Sequence, residues 1–148
     1  MEMLSPADSL RHPRPLSRIL VVDDDDAIRQ LTRRMLEGRG YTVLTASDGP
    51  AALRATASAM VQPGRAVDLV LTDIDMPGGD GYALGRQLAM RWPAVPVIYM
   101  SGTTHGLGRR AGLGPLEHFI QKPFSAGDLL PKLELVLALA APVQPETI

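Results

Sequence analysis

The apolar residues of the chain fall into short segments that alternate with longer stretches of helical periodicity. Five segments are brief and largely apolar, which is typical of strands buried on both faces of a parallel sheet. These predicted strands cover residues 19–22, 41–46, 67–72, 95–100 and 117–121. Because apolar positions recur at helical spacing between them, strands and helices are expected to alternate along the chain.

The predicted helices are marked by their starting residues and by their apolar faces. The first begins at Asp24 or Asp25 and the last begins after Ser125, because these residues are favoured N-caps. The second starts near Pro50, and the third covers residues 80–91. The expected inward-facing residues are Ile28, Leu31, Met35 and Leu36 in the first helix, Ala52, Leu53, Ala57 and Met60 in the second, Leu84 and Leu88 in the third, and Leu129, Leu133, Val136, Leu137 and Ala140 in the last.

This alternation predicts an α/β fold with a five-stranded, parallel, doubly wound sheet and right-handed crossovers. The helix between the fourth and fifth strands is expected to be short or irregular. Residues 101–115 hold five glycines, and each glycine inside a helix costs roughly 1 kcal/mol relative to alanine. The domain is predicted to span residues 18–140, between a flexible N-terminal arm at 1–17 and a flexible tail at 141–148.

Composition and charge exclude several classes of function. The chain has no cysteine, which rules out disulfides, thiolate metal sites and cysteine nucleophiles. The net charge of −1 favours neither nucleic-acid nor membrane-surface binding. No stretch approaches the ~18 apolar residues of a membrane span, and prolines 6, 13 and 15 interrupt any export signal. We therefore expect a cytoplasmic domain with no membrane contact and no direct nucleic-acid binding.

Polar residues that can carry chemistry follow the predicted strands at one edge of the sheet. Asp23 and Asp24 follow the first strand, Asp73 the third, Ser101 the fourth and Lys122 the fifth. In open α/β sheets, ligands bind at the carboxyl ends of the strands. Three carboxylates, a hydroxyl and an ammonium group are therefore expected to converge.

Three carboxylates in one place repel each other. At an effective dielectric constant near 20, a pair about 4 Å apart costs roughly 4 kcal/mol. Either a divalent cation or protonation with a raised pKa would relieve this repulsion. The donor set holds oxygen atoms and no histidine or cysteine, so Mg²⁺ is the cation that suits it. With Lys122 and Ser101 available to bind phosphate oxygens, the set is suited to phosphoryl transfer with Asp73 as the nucleophile.

Four motifs resemble those of the CheY-like receiver domain of response regulators in two-component signalling. They are VVDDD at 21–25, TDIDMPGGDG at 72–81, MSGT at 100–103 and QKPF at 121–124, in the family's order and spacing. The resemblance covers about residues 17–140. The resemblance implies a flavodoxin-like (βα)5 receiver fold. Residues 101–124 are most similar to the receivers of hybrid histidine kinases, whose fourth helix departs from the usual pattern.

The resemblance also implies a role for each residue of the acidic site. Asp73 matches the phosphoacceptor, and Lys122 matches the lysine that accompanies it. Asp24, Asp73 and the backbone carbonyl of Asp75 match the ligands of Mg²⁺ (or Mn²⁺). Asp23 completes the acidic pair and is expected to reach the metal through a water molecule.

Three further residues are assigned by the same resemblance. Ser101 matches the switch hydroxyl that turns toward the phosphoryl group, and Phe119 occupies the place of the switch aromatic residue. Pro123 follows the lysine, where the family commonly has a cis peptide bond. Of these, Ser101 and Phe119 are expected to convert phosphorylation into a change of conformation.

The implied function is that of a signalling phosphoacceptor and not of an enzyme, with only its own phosphorylation and slow autodephosphorylation as chemistry. A histidine kinase or a histidine phosphotransfer protein would supply the phosphoryl group, and a monomer or weak homodimer would signal to a protein target.

Two alternatives stay open. A pseudo-receiver would bind partners without phosphorylation. A phosphohydrolase of the haloacid-dehalogenase type would use Asp73 and Asp75 as its DxD motif, which that family carries after the first strand.

Overall fold

Five parallel strands form the central sheet. In the computed structural model, which describes residues 17–77, 81–102 and 117–140, the strands are β1 (Arg18–Val22), β2 (Thr42–Ala46), β3 (Leu69–Asp73), β4 (Val97–Ser101) and β5 (Glu117–Gln121). Their order across the sheet is β2-β1-β3-β4-β5, and every neighbouring pair is parallel. The α/β class and all five predicted strands are confirmed.

Four helices lie within the described residues: α1 (Asp26–Gly38), α2 (Gly49–Met60), α3 (Gly81–Arg91) and α4 (Ala126–Ala140). The short or irregular helix predicted between β4 and β5 falls on residues 103–116, outside the described part of the chain. The predicted helix start at Asp80 and the tail at 141–148 also lie outside it. None of the helices in the described ranges is long and apolar enough to cross a membrane.

The predicted N-terminal arm is described only at its last residue, Ser17. Ser17 is buried, and its carbonyl accepts a hydrogen bond from the Thr42 N–H at 3.0 Å. The hydrogen bonding between β1 and β2 therefore extends one residue beyond the predicted start of the domain.

Each face of the sheet has its own apolar core, because successive side chains of a strand point to opposite faces. Along β1, Ile19 and Val21 pack with residues of α1 and α4, whereas Leu20 and Val22 pack with residues of α2 and α3. All four side chains are fully buried. Since helices cover both faces, polar side chains can gather at the carboxyl edge of the strands.

In helix α1, one residue that was predicted to face inward, Leu31, is exposed. Asp25 is its N-cap and accepts hydrogen bonds from two backbone N–H groups at 2.9 and 3.1 Å. Leu36 is buried as expected, but Leu31 is 53% exposed and Thr32 is buried in its place. The Thr32 hydroxyl donates to the carbonyl of Ile28 at 2.8 Å, so its polar atom is satisfied and its methyl group can face the core.

In helix α2, too, a threonine is buried where an apolar residue was predicted to face inward. Ala52 is buried as expected, whereas Ala57 is half-buried and Thr56 and Ala59 complete the buried face. The Thr56 hydroxyl donates to the Ala52 carbonyl at 2.8 Å. The predicted residues Leu53 and Met60 are half-buried and pack against the core from its edge.

The inward-facing residues of α3 and α4 were predicted more closely. Leu84 and Leu88 are buried, and so are the α4 residues Leu129, Leu133 and Val136, with Leu137 and Ala140 half-buried beside them. The α4 start is a reciprocal cap. Ser125 Oγ accepts the Asp128 N–H at 3.2 Å, and Asp128 Oδ2 accepts the Ser125 N–H at 2.9 Å.

Candidate functional site

The carboxyl ends of β1 and β3 lie at the point where the chain changes direction across the sheet. After β1 the chain passes to β2 on one side, and it returns to β3 on the other. In doubly wound sheets this switch point is where ligands bind. Asp23 directly follows β1, and Asp73 is the last residue of β3, so both predicted carboxylates lie at this switch point.

Three of the predicted acidic residues meet there. Asp23, Asp24 and Asp73 each offer a carboxylate oxygen, and these oxygens all lie within 4.8 Å of one another. Asp23 is fully buried and Asp73 is 6% exposed, whereas Asp24 is exposed. The Asp24 carboxylate has no hydrogen-bond or ion-pair partner in the part of the chain that the structure describes.

Lys122 joins the two buried carboxylates. Its Nζ lies 2.8 Å from Asp23 Oδ2 and 3.4 Å from Asp73 Oδ2. Burial by itself lowers the pKa of Lys122, but the hydrogen bond to Asp23 and the charges of Asp23 and Asp73 outweigh it and raise the pKa above its usual value. The ammonium group is therefore held in its charged form beside Asp73.

The Asp73 carboxyl lies in an environment that disfavours its charge. Burial is the largest cause and raises its pKa, the charge of Lys122 lowers it, and the charge of Asp23 raises it again. The Asp75 N–H donates to Asp73 Oδ1 at 3.2 Å, which holds the carboxylate in place. The net result is a raised pKa, because one lysine does not compensate for burial and a second carboxylate.

A divalent cation of the Mg²⁺ type fits this donor set. The three carboxylates provide only oxygen ligands, and Mg²⁺ and Mn²⁺ prefer such ligands. A bound cation would also offset the excess negative charge that raises the pKa of Asp73. Asp75 lies two residues beyond Asp73 with an exposed side chain, and the role of its carbonyl as a ligand stays a prediction.

Ser101 and Lys122 are brought to the same edge by neighbouring strands. Ser101 is the last residue of β4 and is fully buried, and its carbonyl accepts the Lys122 N–H at 2.7 Å. The Lys122–Pro123 peptide bond is cis, as the resemblance implied. The switch function of the Ser101 hydroxyl stays a prediction.

Phe119 lies in a buried cluster of aromatic side chains that the sequence did not reveal. Its ring centroid is 5.5 Å from that of Tyr99 and 6.2 Å from that of Tyr82, and the Tyr82 and Tyr99 centroids are 4.9 Å apart. Phe119 is 7% exposed. The structure therefore shows Phe119 packed inward, and its role as the switch aromatic residue stays a prediction.

Two glycines of α3 allow the helix to lie close to Tyr99 and to the end of β3. A Cβ at Gly85 would lie 1.8 Å from the Tyr99 hydroxyl oxygen, and a Cβ at Gly81 would lie 2.1 Å from the Asp73 carbonyl oxygen. The Gly81 N–H also donates to the carbonyl of Ile74 at 2.9 Å. Glycine at 81 thus brings the start of α3 against the strand end that carries Asp73. Nothing in the sequence besides the glycines themselves marks these close approaches.

Arg29 is a further residue of the site region that sequence reasoning missed. Its Nη1 donates to the Asp23 carbonyl at 2.8 Å, and its Nη2 pairs with Asp26. Its spacing from the aspartates is the one signal that could have revealed it, since residues three apart on a helix are neighbours.

A groove of about 310 Å³ opens beside Lys122 on the side of α1. Apolar side chains form most of its lining, and among them is the exposed Leu31. The lining residues are Ile28, Leu31, Met35, Gly102, Lys122, Pro123 and Phe124. The acidic site thus has an apolar surface next to it that another molecule can contact.

Comparison with known proteins identifies relatives over most of the chain. The family model "Response regulator receiver domain" matches residues 19–134. The chain is 33% identical over 123 residues to the KDP operon transcriptional regulatory protein KdpE of Escherichia coli, an alignment that covers 82% of this chain and 52% of KdpE. The chain spans about half the length of the curated relatives it matches.

Solved structures show the same fold. The receiver domain of the hybrid histidine kinase CckA has a TM-score of 0.64 and 33% identity, covering 82% of this chain and 99% of that domain. The response regulator TrrA of Thermotoga maritima, solved with Mg²⁺ and BeF, has a TM-score of 0.71 and 29% identity over 81% of this chain and 98% of that one. The chain therefore belongs to the response regulator receiver domain family of two-component signalling.

Proposed function

We propose that this domain accepts a phosphoryl group on Asp73 from a histidine kinase or a histidine phosphotransfer protein, in a reaction that depends on Mg²⁺ or Mn²⁺. The observation that supports it most strongly is the meeting of three carboxylates and one lysine at the strand edge. Phosphoryl transfer requires mainly positioning and charge neutralisation, and this set of side chains can provide both.

Asp73 acts as the nucleophile. One of its carboxylate oxygens attacks the phosphorus atom, the bond between phosphorus and the donor's imidazole nitrogen breaks, and an aspartyl phosphate forms. The hydrogen bond from the Asp75 N–H to Oδ1 supports the orientation of the carboxylate. Lys122, 3.4 Å from Oδ2, is close enough to neutralise an oxygen of the incoming phosphoryl group.

Asp24, Asp73 and the backbone carbonyl of Asp75 would hold the cation, with Asp23 contributing through a water molecule. The cation, when bound, supplies positive charge to the phosphoryl oxygens. Asp23 has a second task, because its Oδ2 holds Lys122 at 2.8 Å and keeps the ammonium group at the site. Asp23 would thus both position Lys122 and contribute to metal binding, whereas Asp24 would serve the metal alone.

The phosphoryl group would be sensed by Ser101 and Phe119. Ser101 ends β4 at the same edge as Asp73, and Phe119 packs one strand away. We propose that the Ser101 hydroxyl turns toward the phosphoryl group and that Phe119 repacks with it, which would alter the surface presented to a protein target. The groove beside Lys122 supports delivery by a protein donor, since its apolar lining borders the acidic site.

The experiment is labelling of the purified protein by a small-molecule phosphodonor, acetyl phosphate, followed by intact mass. The wild type is expected to gain one phosphoryl group with Mg²⁺ and none with a chelator. Asp73→Asn is expected to gain none, whereas Asp48→Asn, which changes the α2 N-cap by the same chemistry, should label normally. Absence of labelling in the wild type would favour the pseudo-receiver, and undiminished labelling of Asp73→Asn would exclude Asp73 as the acceptor.

A further inference from the structure

Arg29 reaches back from the first turn of α1 to the loop that carries the acidic pair. Its Nη1 donates to the Asp23 carbonyl at 2.8 Å, and its Nη2 pairs with Asp26. The side chain is 13% exposed, although the acidic residue that it pairs with is 85% exposed. One guanidinium therefore bridges the two ends of the loop formed by residues 23–26.

The position of Arg29 is unfavourable for a cation unless it has specific partners. The amino end of a helix carries partial positive charge, which repels a cation and favours acids. Burying a guanidinium also removes its hydration. A planar group with several N–H donors overcomes both costs when a carbonyl and a carboxylate lie in its plane, which a lysine could not contact together.

Each hydrogen-bonding group of Asp23 has a partner. Its Oδ2 holds Lys122 at 2.8 Å, its Oδ1 accepts the Asp25 N–H at 2.9 Å, and its N–H donates to the Ala46 carbonyl at 3.2 Å. The remaining group is the carbonyl, which Arg29 binds. This carbonyl belongs to the peptide bond that joins Asp23 to Asp24, so Arg29 restrains the orientation of that peptide.

The exposed Asp24 lies directly beyond this restrained peptide bond. Its carboxylate has no partner of its own in the described ranges, so its position follows from the backbone on either side. Asp25 fixes the backbone on the helix side as the N-cap, and Asp23 fixes it on the strand side. We propose that Arg29 is a positioning residue that orients the Asp23–Asp24 peptide and so presents the Asp24 carboxylate to the divalent cation before the cation binds.

This inference rests on the proposed metal-dependent function, and it opposes a simple electrostatic expectation. A cation next to a metal site repels the metal, so loss of Arg29 would tighten metal binding if its charge were all that mattered. Its pairing with Asp26 offsets much of that charge. We therefore expect loss of orientation to outweigh relief of repulsion, and the sign of the change in affinity separates the two accounts.

The test is a titration with Mn²⁺ alone, followed by electron paramagnetic resonance without any phosphodonor. Arg29→Met keeps the aliphatic stem and removes the donors, and it is expected to weaken Mn²⁺ binding about tenfold, the lower end of the effect of residues that orient ligands. Arg29→Lys keeps the charge but cannot bridge both partners, so it should also bind more weakly. Arg33→Met is the matched control, because Arg33 pairs with Glu37 at 3.2 Å on the exposed side of the same helix.

A second readout needs no metal. Exchange of the Asp25 amide hydrogen, which bonds to Asp23 Oδ1, is expected to be faster in Arg29→Met than in Arg33→Met at equal thermal stability. Wild-type or tighter Mn²⁺ affinity in both Arg29 variants would overturn the proposal. Wild-type protein that binds Mn²⁺ but takes no phosphoryl group would instead contradict the proposed function and leave the role of Arg29 standing.

Discussion

Asp73 has two requirements that conflict with each other. As the proposed nucleophile it would have to be charged and close to the phosphoryl donor, yet it is 6% exposed and lies beside the fully buried Asp23. Burial first, and the charge of Asp23 to a smaller extent, raise its pKa, although Lys122 acts in the opposite direction. The folded protein without a cation therefore carries an electrostatic cost at the residue that the proposed chemistry needs.

We expect Asp73→Asn to be more stable than the wild type when no divalent cation is present. The folded-state pKa of Asp73 lies above the unfolded one, so its ionisation costs stability, and this cost is fully present at pH values above the folded pKa. The gain should be about 1–2 kcal/mol, well below the roughly 4 kcal/mol of an unscreened carboxylate pair at an effective dielectric constant of 20.

Urea denaturation with a chelator measures this gain in the free energy of unfolding. Adding Mg²⁺ should stabilise the wild type more than Asp73→Asn, because the variant lacks one of the carboxylates that favour the cation. A variant less stable than the wild type in the chelator would show that the Asp73 charge has a structural role, contrary to this account.

The residues of the site differ in how far sequence could reveal them. Asp23, Asp73, Ser101 and Lys122 follow or end strands, so the topology alone predicts that they converge. Arg29 was missed because its function depends on a contact with a backbone carbonyl, which leaves no trace in the pattern of residue types. The positions of the strands in the sequence predict which side chains gather at the strand ends. They do not predict which side chains bind and orient the backbone, as Arg29 does.

At the scale of elements, two glycines allow α3 to lie close to the sheet, in addition to the apolar residues that it buries. Gly81 lies against the end of β3, and Gly85 leaves room for the hydroxyl of Tyr99, which is 1% exposed. The Tyr99 ring in turn packs against Phe119. Through this close approach, α3 packs against the aromatic cluster that includes Phe119, the proposed switch aromatic residue.

We expect Gly85→Ala to destabilise the protein by about 1–3 kcal/mol, the usual cost of overpacking a core. The added Cβ would lie 1.8 Å from the Tyr99 hydroxyl oxygen, and the buried ring cannot move away without displacing its neighbours. Tyr99→Phe in the same chain removes the hydroxyl oxygen and should recover part of the loss. The recovery should be incomplete, because the ring carbon Cζ would still lie 2.8 Å from the Cβ. The measurement is a double-mutant cycle of thermal or urea unfolding.

Gly38→Ala is the control for this experiment. Gly38 is the last residue of α1, and a Cβ there would meet no atom within 4 Å. Its substitution should leave stability unchanged or raise it by up to about 1 kcal/mol, since alanine is the better helix former. Equal effects at the two glycines would contradict the packing explanation for Gly85.

Element types and caps were predictable, whereas the exact buried faces were not. Asp25 and Ser125 cap α1 and α4 as their residue types suggest. The buried faces of α1 and α2 include Thr32 and Thr56, whose hydroxyls bond to their own helix. A pattern that counts threonine as polar rotates the predicted face toward Leu31, which in the folded protein borders the groove beside Lys122.

At the scale of the whole molecule, the order of the strands determines which polar residues meet at the carboxyl edge of the sheet. Because β1 and β3 are neighbours at the switch point, Asp23 and Asp73 reach the same edge of the sheet, where Lys122 contacts both. Ser101 ends β4 at this edge. The regular alternation of strands and helices made this topology readable from the sequence. The short or irregular helix predicted between β4 and β5 falls on residues 103–116, outside the part of the chain that the structure describes.

His118 on β5 is expected to give the stability of the fold a pH dependence. Burial first, and then the charge of Lys132 on α4, lower its pKa from the ordinary value of 6.5. As the pH falls through about 6.5, the unfolded chain takes up this proton before the folded one, so the free energy of unfolding declines and then levels off below the folded pKa.

The effect should be less than about 1 kcal/mol, because His118 is only half-buried and solvent screens its charge. Urea denaturation of the wild type and of His118→Gln between about pH 7.5 and about pH 5 isolates it, since the other titrating groups are common to both proteins. A decline of equal size in the two proteins would show that His118 does not contribute.

The most direct test of the central claim is to locate the phosphoryl group. Borohydride reduces an aspartyl phosphate to homoserine, so peptide mass spectrometry of the protein after acetyl phosphate, Mg²⁺ and borohydride identifies the modified residue. We expect homoserine at position 73, and its loss when a chelator replaces Mg²⁺. Homoserine at Asp23 or Asp24, or no conversion under conditions in which the protein binds Mn²⁺, would contradict the assignment of Asp73 as the phosphoacceptor.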